Sequence, residues 1–157
     1  MDIQTYFDYH KWATDRLCNM LSDIDEEIMK NEFPNSFPSL KLTLSHLGWA
    51  ECLWYHRIFG APPSISREEW REMSTDEIIS NYALFNQKLL NVLKTKDLET
   101  EVDYTNSAGN KYTTTIHEIG VHVVNHASYH RGQIVTLLHQ NNLSDILAFD
   151  FIAFLRT

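Results

Sequence analysis

Between Gly120 and Ile134 the chain carries histidine at every fourth position: His122, His126 and His130. In an α-helix a step of four residues turns about 400°, so neighbours in such a series lie roughly 40° apart on one face. Apolar residues support the helix, since Ile116, Ile119, Val123, Ala127, Ile134, Leu137 and Leu138 form a stripe at helical spacing. The histidines run along the edge of that stripe, which turns them toward protein more than toward water. An i, i+4 pair can aim two imidazoles at one point, as helices do when they present ligands to a single metal ion. The interior of a helix bundle is where such a site is built.

The remainder of the chain reads as partners for this helix. Ile3, Tyr6/Phe7, His10, Ala13, Leu17, Met20/Leu21 and Ile24 follow amphipathic spacing, with Asp2 as cap and Asp23 to Asp25 as the end. His10 lies on this stripe and reads as a hydrogen-bonded core or rim histidine. Asn31 to Ser39, with Pro34 and Pro38, is a connection. Ser39 caps a second helix that runs to about Phe59 and stops at Gly60-Ala61-Pro62-Pro63, with Leu40, Leu44, Leu47, Glu51/Trp54 and Ile58 inward. Pro62 to Ser74 reads as a polar loop carrying Trp70. Ser74 or Thr75, with Glu77 close behind, opens a third helix that ends in Lys94-Thr95-Lys96. Glu101 to Thr105 and Lys111 to Thr115 alternate around the turn residues Asn106 to Asn110 and form a short hairpin. Thr115 with Glu118 makes a capping box for the fourth long helix, which continues to about Gln140. Leu147 to Leu155 fits a helical turn or a strand equally well. Four long amphipathic helices predict an all-α four-helix bundle, with residues 1–157 as a single domain.

Composition excludes several functions. A formal charge of −8, with no local Lys/Arg cluster, argues against nucleic-acid binding. No apolar stretch of roughly 18 residues exists to span a membrane. Cys18 and Cys52 fall within apolar helical patterns, form no C-x-x-C pair, and read as reduced core residues. Met1-Asp2-Ile3-Gln4 lacks a basic region leading into an apolar run, so the expected location is the cytoplasm.

His46 stands one position off the inward line of the second helix, among Leu42, Ala50 and Leu53. Together with His126 and His130 it completes a three-histidine set, and catalytic zinc sites commonly use three protein ligands and one open position. His122, one turn before His126, can substitute for either neighbour or face substrate. His56 lies about 280° around the helix from His46 and reads as a rim residue. Zinc, nickel, iron, cobalt and manganese all accept imidazole. Glu51, Asn125, Tyr129 and Arg131 are candidates for the surrounding shell or substrate pocket. Gly132, inside the helix, predicts close packing against a neighbouring backbone. A zincin is excluded, because after His117-Glu118 the next histidine points about 140° away. Di-iron Glu-x-x-His repeats are also missing from the sequence.

His46-Leu47-Gly48-Trp49-Ala50-Glu51 and the segment from His122 to His126-Ala-Ser-Tyr-His130-Arg131-Gly132-Gln133-Ile134 resemble the DinB family, also called DinB/YfiT-like. The order of helices and the hairpin before the last long helix agree, so the resemblance covers nearly the whole chain. It implies an up-down-down-up four-helix bundle, a divalent metal (Zn, Ni, Fe or Mn) on His46, His126 and His130, and a homodimer. It also implies kinship with bacillithiol- and mycothiol-dependent transferases, in which a low-molecular-weight thiol attacks a small electrophilic substrate. Arg57, Lys41 and Arg131 are the cations available to such a thiol's carboxylates. Two functions follow as expectations. One is a metal-dependent enzyme, with S-transfer ahead of hydrolysis; the other is a non-catalytic metal- or ligand-binding bundle.

Overall fold

A computed structural model describes residues 2–157; Met1, part of the N-terminal stretch read above for a leader, lies outside them. The long helices are α1 (Ile3–Ser22), α3 (Leu40–Ile58), α5 (Thr75–Thr95) and α6 (Ile116–Gln140). Short helices α2 (Glu26–Lys30), α4 (Arg67–Glu72) and α7 (Phe151–Phe154) sit in the connections. Strands β1 (Glu101–Thr105) and β2 (Lys111–Thr115) pair antiparallel with Glu101 opposite Thr115.

Local chemistry sets the helix ends. Asp2 and Ser39 accept backbone N–H bonds from Gln4 and Leu42, and capping boxes Ser74/Glu77 and Thr115/Glu118 open α5 and α6. Side-chain contacts then fix the directions. Phe59 and Lys96, at the C-terminal ends of α3 and α5, meet each other, while Lys41 and Thr75 near their starts both bond Glu26. Parallel α3 and α5 result. Asp8 of α1 reaches Lys94 of α5, so these two run antiparallel, whereas Tyr6 meets Asn125 and Tyr9 meets Ser128, so α1 and α6 run together. The bundle is therefore up-down-down-up.

Two apolar clusters fill it. One gathers Leu17, Leu21, Leu44, Leu47, Trp70, Tyr82 and Ile134; the other gathers Phe7, Leu89, Leu93, Ile116, Val123 and Val124. Between them along the helices lies a buried polar layer: His10 Nε2 donates to Glu51 Oε1 (2.9 Å) and Asn86 Nδ2 donates to Glu51 Oε2 (3.0 Å). Each donor meets an acceptor, which is what makes burying the carboxylate tolerable. His10 is thus the hydrogen-bonded core histidine expected. Cys18 and Cys52 are buried and free, and burial pushes the Cys18 thiol up to about 12.

Two expectations change, and one open alternative is resolved. Residues 67–72 are helical rather than loop, because Ser66 and Glu69 form a further capping box and Trp70 is fully buried against α3. Trp70 settles over Gly48, where an added Cβ would lie 2.6 Å from Trp70 Cη2 and closer still to Cζ3. The close-packed helical glycines are therefore Gly48 and Gly120, the latter against Phe7; a Cβ on Gly132 would meet nothing within 4 Å. Within the ambiguous segment Leu147 to Leu155, Phe151–Phe154 form a helical turn, α7, and residues 147–150 form neither helix nor strand.

Candidate metal centre

Antiparallel packing of α3 on α6 sets His46 opposite two consecutive turns of α6. One ring nitrogen from each of His46, His126 and His130 lies within 4.8 Å of the others, a group that could hold a metal ion. His46 Nε2 and His126 Nε2 are 3.0 Å apart, and the ring centroids are 4.9 Å (His46–His126), 4.6 Å (His46–His130) and 4.5 Å (His126–His130) apart.

Protonation favours ligation. Burial lowers the His126 pKa to about 3, with the neighbouring His130 and His46 adding to the effect. Burial likewise lowers His46 to about 4, helped by His130 and by Arg67 and Arg71. His130 is lowered by burial and partly restored by Gln133. Neutral imidazoles at pH 7 keep the lone pairs that a cation needs. Gln133 adds orientation: its Oε1 lies 2.7 Å from His130 Nδ1, and an amide oxygen only accepts, so Nδ1 carries the proton and Nε2 keeps the free lone pair. The two Nε2 atoms of His46 and His126 share at most one proton at 3.0 Å, and His46 Nδ1 is buried with no partner. Three converging, desolvated and incompletely satisfied imidazoles fit a divalent ion better than a histidine ladder bonded to backbone.

The other candidates separate. His122 stays outside the convergent set, with its ring 5.7 Å from His126 and 5.1 Å from Trp54; burial and Arg57 lower its pKa. Tyr129 places an exposed ring 5.1 Å from His130. Asn125 faces α1 and accepts from the Tyr6 hydroxyl (2.8 Å). Glu51 belongs to the polar layer with His10. Arg131 is buried and donates to Ser128 Oγ (2.9 Å). His56 donates through Nδ1 to the Cys52 carbonyl (2.7 Å), away from the triad. Two site residues escaped the sequence reading. Phe37 stacks on His46 at 4.3 Å and meets His130 edge-on at 5.5 Å, yet nothing in a Pro-flanked connection signals that. Gln133 follows His130 by three residues, a spacing that places it on the same helical face and could have flagged it.

The sequence model of the DinB family matches residues 1–143. The chain belongs to the DinB family. As a member of it, the chain is 27% identical over 142 residues to Protein DinB of Bacillus subtilis (strain 168), covering 85% of this chain and 83% of that relative. Its fold resembles the crystal structure of a DinB-like protein from Bacillus cereus ATCC 10987, with a TM-score of 0.69 at 18% identity over 91% of this chain and 95% of that one. No helix among the described residues of this DinB-family chain is long and apolar enough to cross a membrane.

Proposed function

We propose that this chain is a metal-dependent enzyme, holding a divalent ion on His46, His126 and His130 and acting on a small electrophilic substrate. The favoured reaction is transfer of a low-molecular-weight thiol to that substrate, ahead of its hydrolysis. The observation that carries the reading is the convergence of three neutral imidazole nitrogens within 4.8 Å. Three protein ligands leave a position for an exogenous group. A bound ion there supplies Lewis-acid polarisation and lowers the pKa of a thiol or water. The chain's own residues hold that arrangement: Gln133 fixes the His130 tautomer, and Phe37 braces His46 and His130 and keeps water from their faces. His122, neutral and beside His126, is placed to take up a proton released at the site. Tyr129 beside His130 and Trp54 beside His122 offer aromatic surface for an apolar substrate body. The same reading takes the protein as a cytoplasmic homodimer, which sedimentation of the purified chain checks.

The test is metal content per chain in untagged protein, beside a His126→Ala/His130→Ala variant. The expected result is about one ion per chain in the wild type and none in the variant, followed by thiol-dependent turnover in a screen of electrophiles. An absence of bound metal after incubation with Zn²⁺, Ni²⁺, Mn²⁺ and Fe²⁺ would refute the proposal. Bound metal without turnover would reduce it to the non-catalytic bundle.

A further inference from the structure

Trp70 fixes how α4 lies on α3, since its buried indole rests on Gly48. At about 100° per residue, Arg67 and Arg71 then fall on one side of α4, about 60° and 100° round from Trp70. Glu68 and Glu72 point about 160° and 200° from it, away from α3. Glu69 lies on the other side, where it accepts from the Ser66 backbone N–H. The arginine side is the one turned toward the histidines. The Arg67 guanidinium carbon stands 5.4 Å from the Trp49 ring, and that ring stands 6.1 Å from the His46 ring. The charges of both arginines act on His46 and lower its pKa. Both side chains are exposed, and no carboxylate of the described residues lies within ion-pair distance of either. No Asp or Glu among the described residues joins the three histidines, and the charge of Arg57 acts on His122. A divalent ion on three neutral imidazoles keeps its full charge. This corner of a chain with a formal charge of −8 therefore gathers positive charge.

We propose that the substrate is a small organic acid, whose carboxylate is held by Arg67 and Arg71 across Trp49 while its reacting end meets the ion. The proposal rests on the metal-dependent reading for the reaction, but the arginine pair attracts an anion with or without the metal. Two guanidinium groups one helical turn apart share a face and can take the two oxygens of one carboxylate. A thiolate on the ion would neutralise part of its charge and leave the arginines to the substrate. Because Arg67 and Arg71 are exposed, their contribution is selectivity for an anion more than raw affinity.

Calorimetric titration with suberate monohydroxamate tests this, since its hydroxamate end chelates a metal ion and its far end is a carboxylate. The neutral control is its carboxamide counterpart, and about 0.15 M salt screens charges beyond roughly 8 Å. In Zn²⁺-loaded protein the acid should bind about tenfold tighter than the amide. Arg67→Gln/Arg71→Gln should erase that preference with little change in melting temperature. Glu68→Gln/Glu72→Gln, which changes charge on the outer side of α4, should leave it unaltered. In the His126→Ala/His130→Ala protein both compounds should bind more weakly, with the acid still preferred. The proposal is overturned by equal binding of acid and amide to the wild type, or by absence of acid binding to metal-free protein. A preference that survives loss of both arginines, or that the glutamate pair shifts as much, overturns it too. Wild-type protein that takes up no metal yet prefers the acid through Arg67 and Arg71 would refute the metal-dependent reading and leave the anion site standing.

Discussion

Replacing Gly48 by alanine adds one methyl group at the point where α4 rests on α3. An intrinsic helix scale says that this stabilises, by about 1 kcal/mol. Packing says the opposite. The new Cβ would stand 2.6 Å from Trp70 Cη2 and closer to Cζ3, and Trp70 is fully buried. A rigid indole cannot bend away as the end of a flexible chain could, so ring, α4 and the adjoining turn must shift together. Overpacking of this kind costs about 2–3 kcal/mol. The net loss is then about 1–2 kcal/mol, or a fall in Tm of about 2–8 °C for a chain of this size. Trp70→Leu by itself leaves space and costs about 2–4 kcal/mol. In the double variant the methyl group occupies some of that space, so the combined loss should fall short of the sum by at least about 1 kcal/mol. Urea denaturation of the four proteins measures the cycle. A stabilised Gly48→Ala variant, or additivity within about 0.5 kcal/mol, would refute the reasoning. The stake extends to the candidate metal centre: Gly48 is two residues from His46, and Arg67 of α4 lies over Trp49.

Gln133→Leu removes the acceptor for His130 Nδ1 and should weaken metal binding about 10–100-fold with little change in melting temperature, as read by competition with a chromogenic chelator. Glu51→Leu strands the buried donors of His10 and Asn86 and should cost about 1–3 kcal/mol for each, measured by urea denaturation; an effect under about 0.5 kcal/mol would show that the polar layer is not closed. Glu26 gives a pH signature. Desolvation raises its pKa, but bonds from Thr75, Lys41 and Lys30 and the charge of Lys41 outweigh that and hold the carboxyl at about 2, below the ordinary 4.5. A depressed acid stabilises the fold fully above pH 4.5 and loses that contribution as pH falls from 4.5 toward 2. Glu26→Gln should flatten the stability profile in this window and leave its shape unchanged above it, as followed by melting temperature across pH.

The long helices were legible in the chain because their determinants are local. Alternating three- and four-residue apolar steps, and side-chain caps such as Thr115/Glu118, act within a few residues of one another. The same locality brings His126 and His130 onto one face of α6 before any partner is known. The α4 helix was missed although Ser66 and Glu69 carry its capping box, because charged residues around a single Trp70 give no amphipathic stripe. Its stability comes from the indole buried on Gly48, a contact 22 positions away in sequence.

Tertiary structure decided whatever depends on the register of one helix against another. Spacing along α6 left His122 as an alternative member of the triad; the crossing of α3 on α6 brings His46 to His126 and His130 and leaves His122 against Trp54. Phe37 joins the site only because the connection after α2 folds back over His46. Gly132, expected to meet a neighbouring backbone, instead has open space at its Cβ, and Asn125 and Arg131 turn toward α1 rather than toward the three-histidine group. Sequence by itself thus determined the helices, their ends and the histidine spacing on α6, because hydrogen bonds and periodicity within a helix are short-range. Which faces meet, and hence which histidines converge and which arginine is buried without a counter-charge, follows from packing summed over the whole bundle.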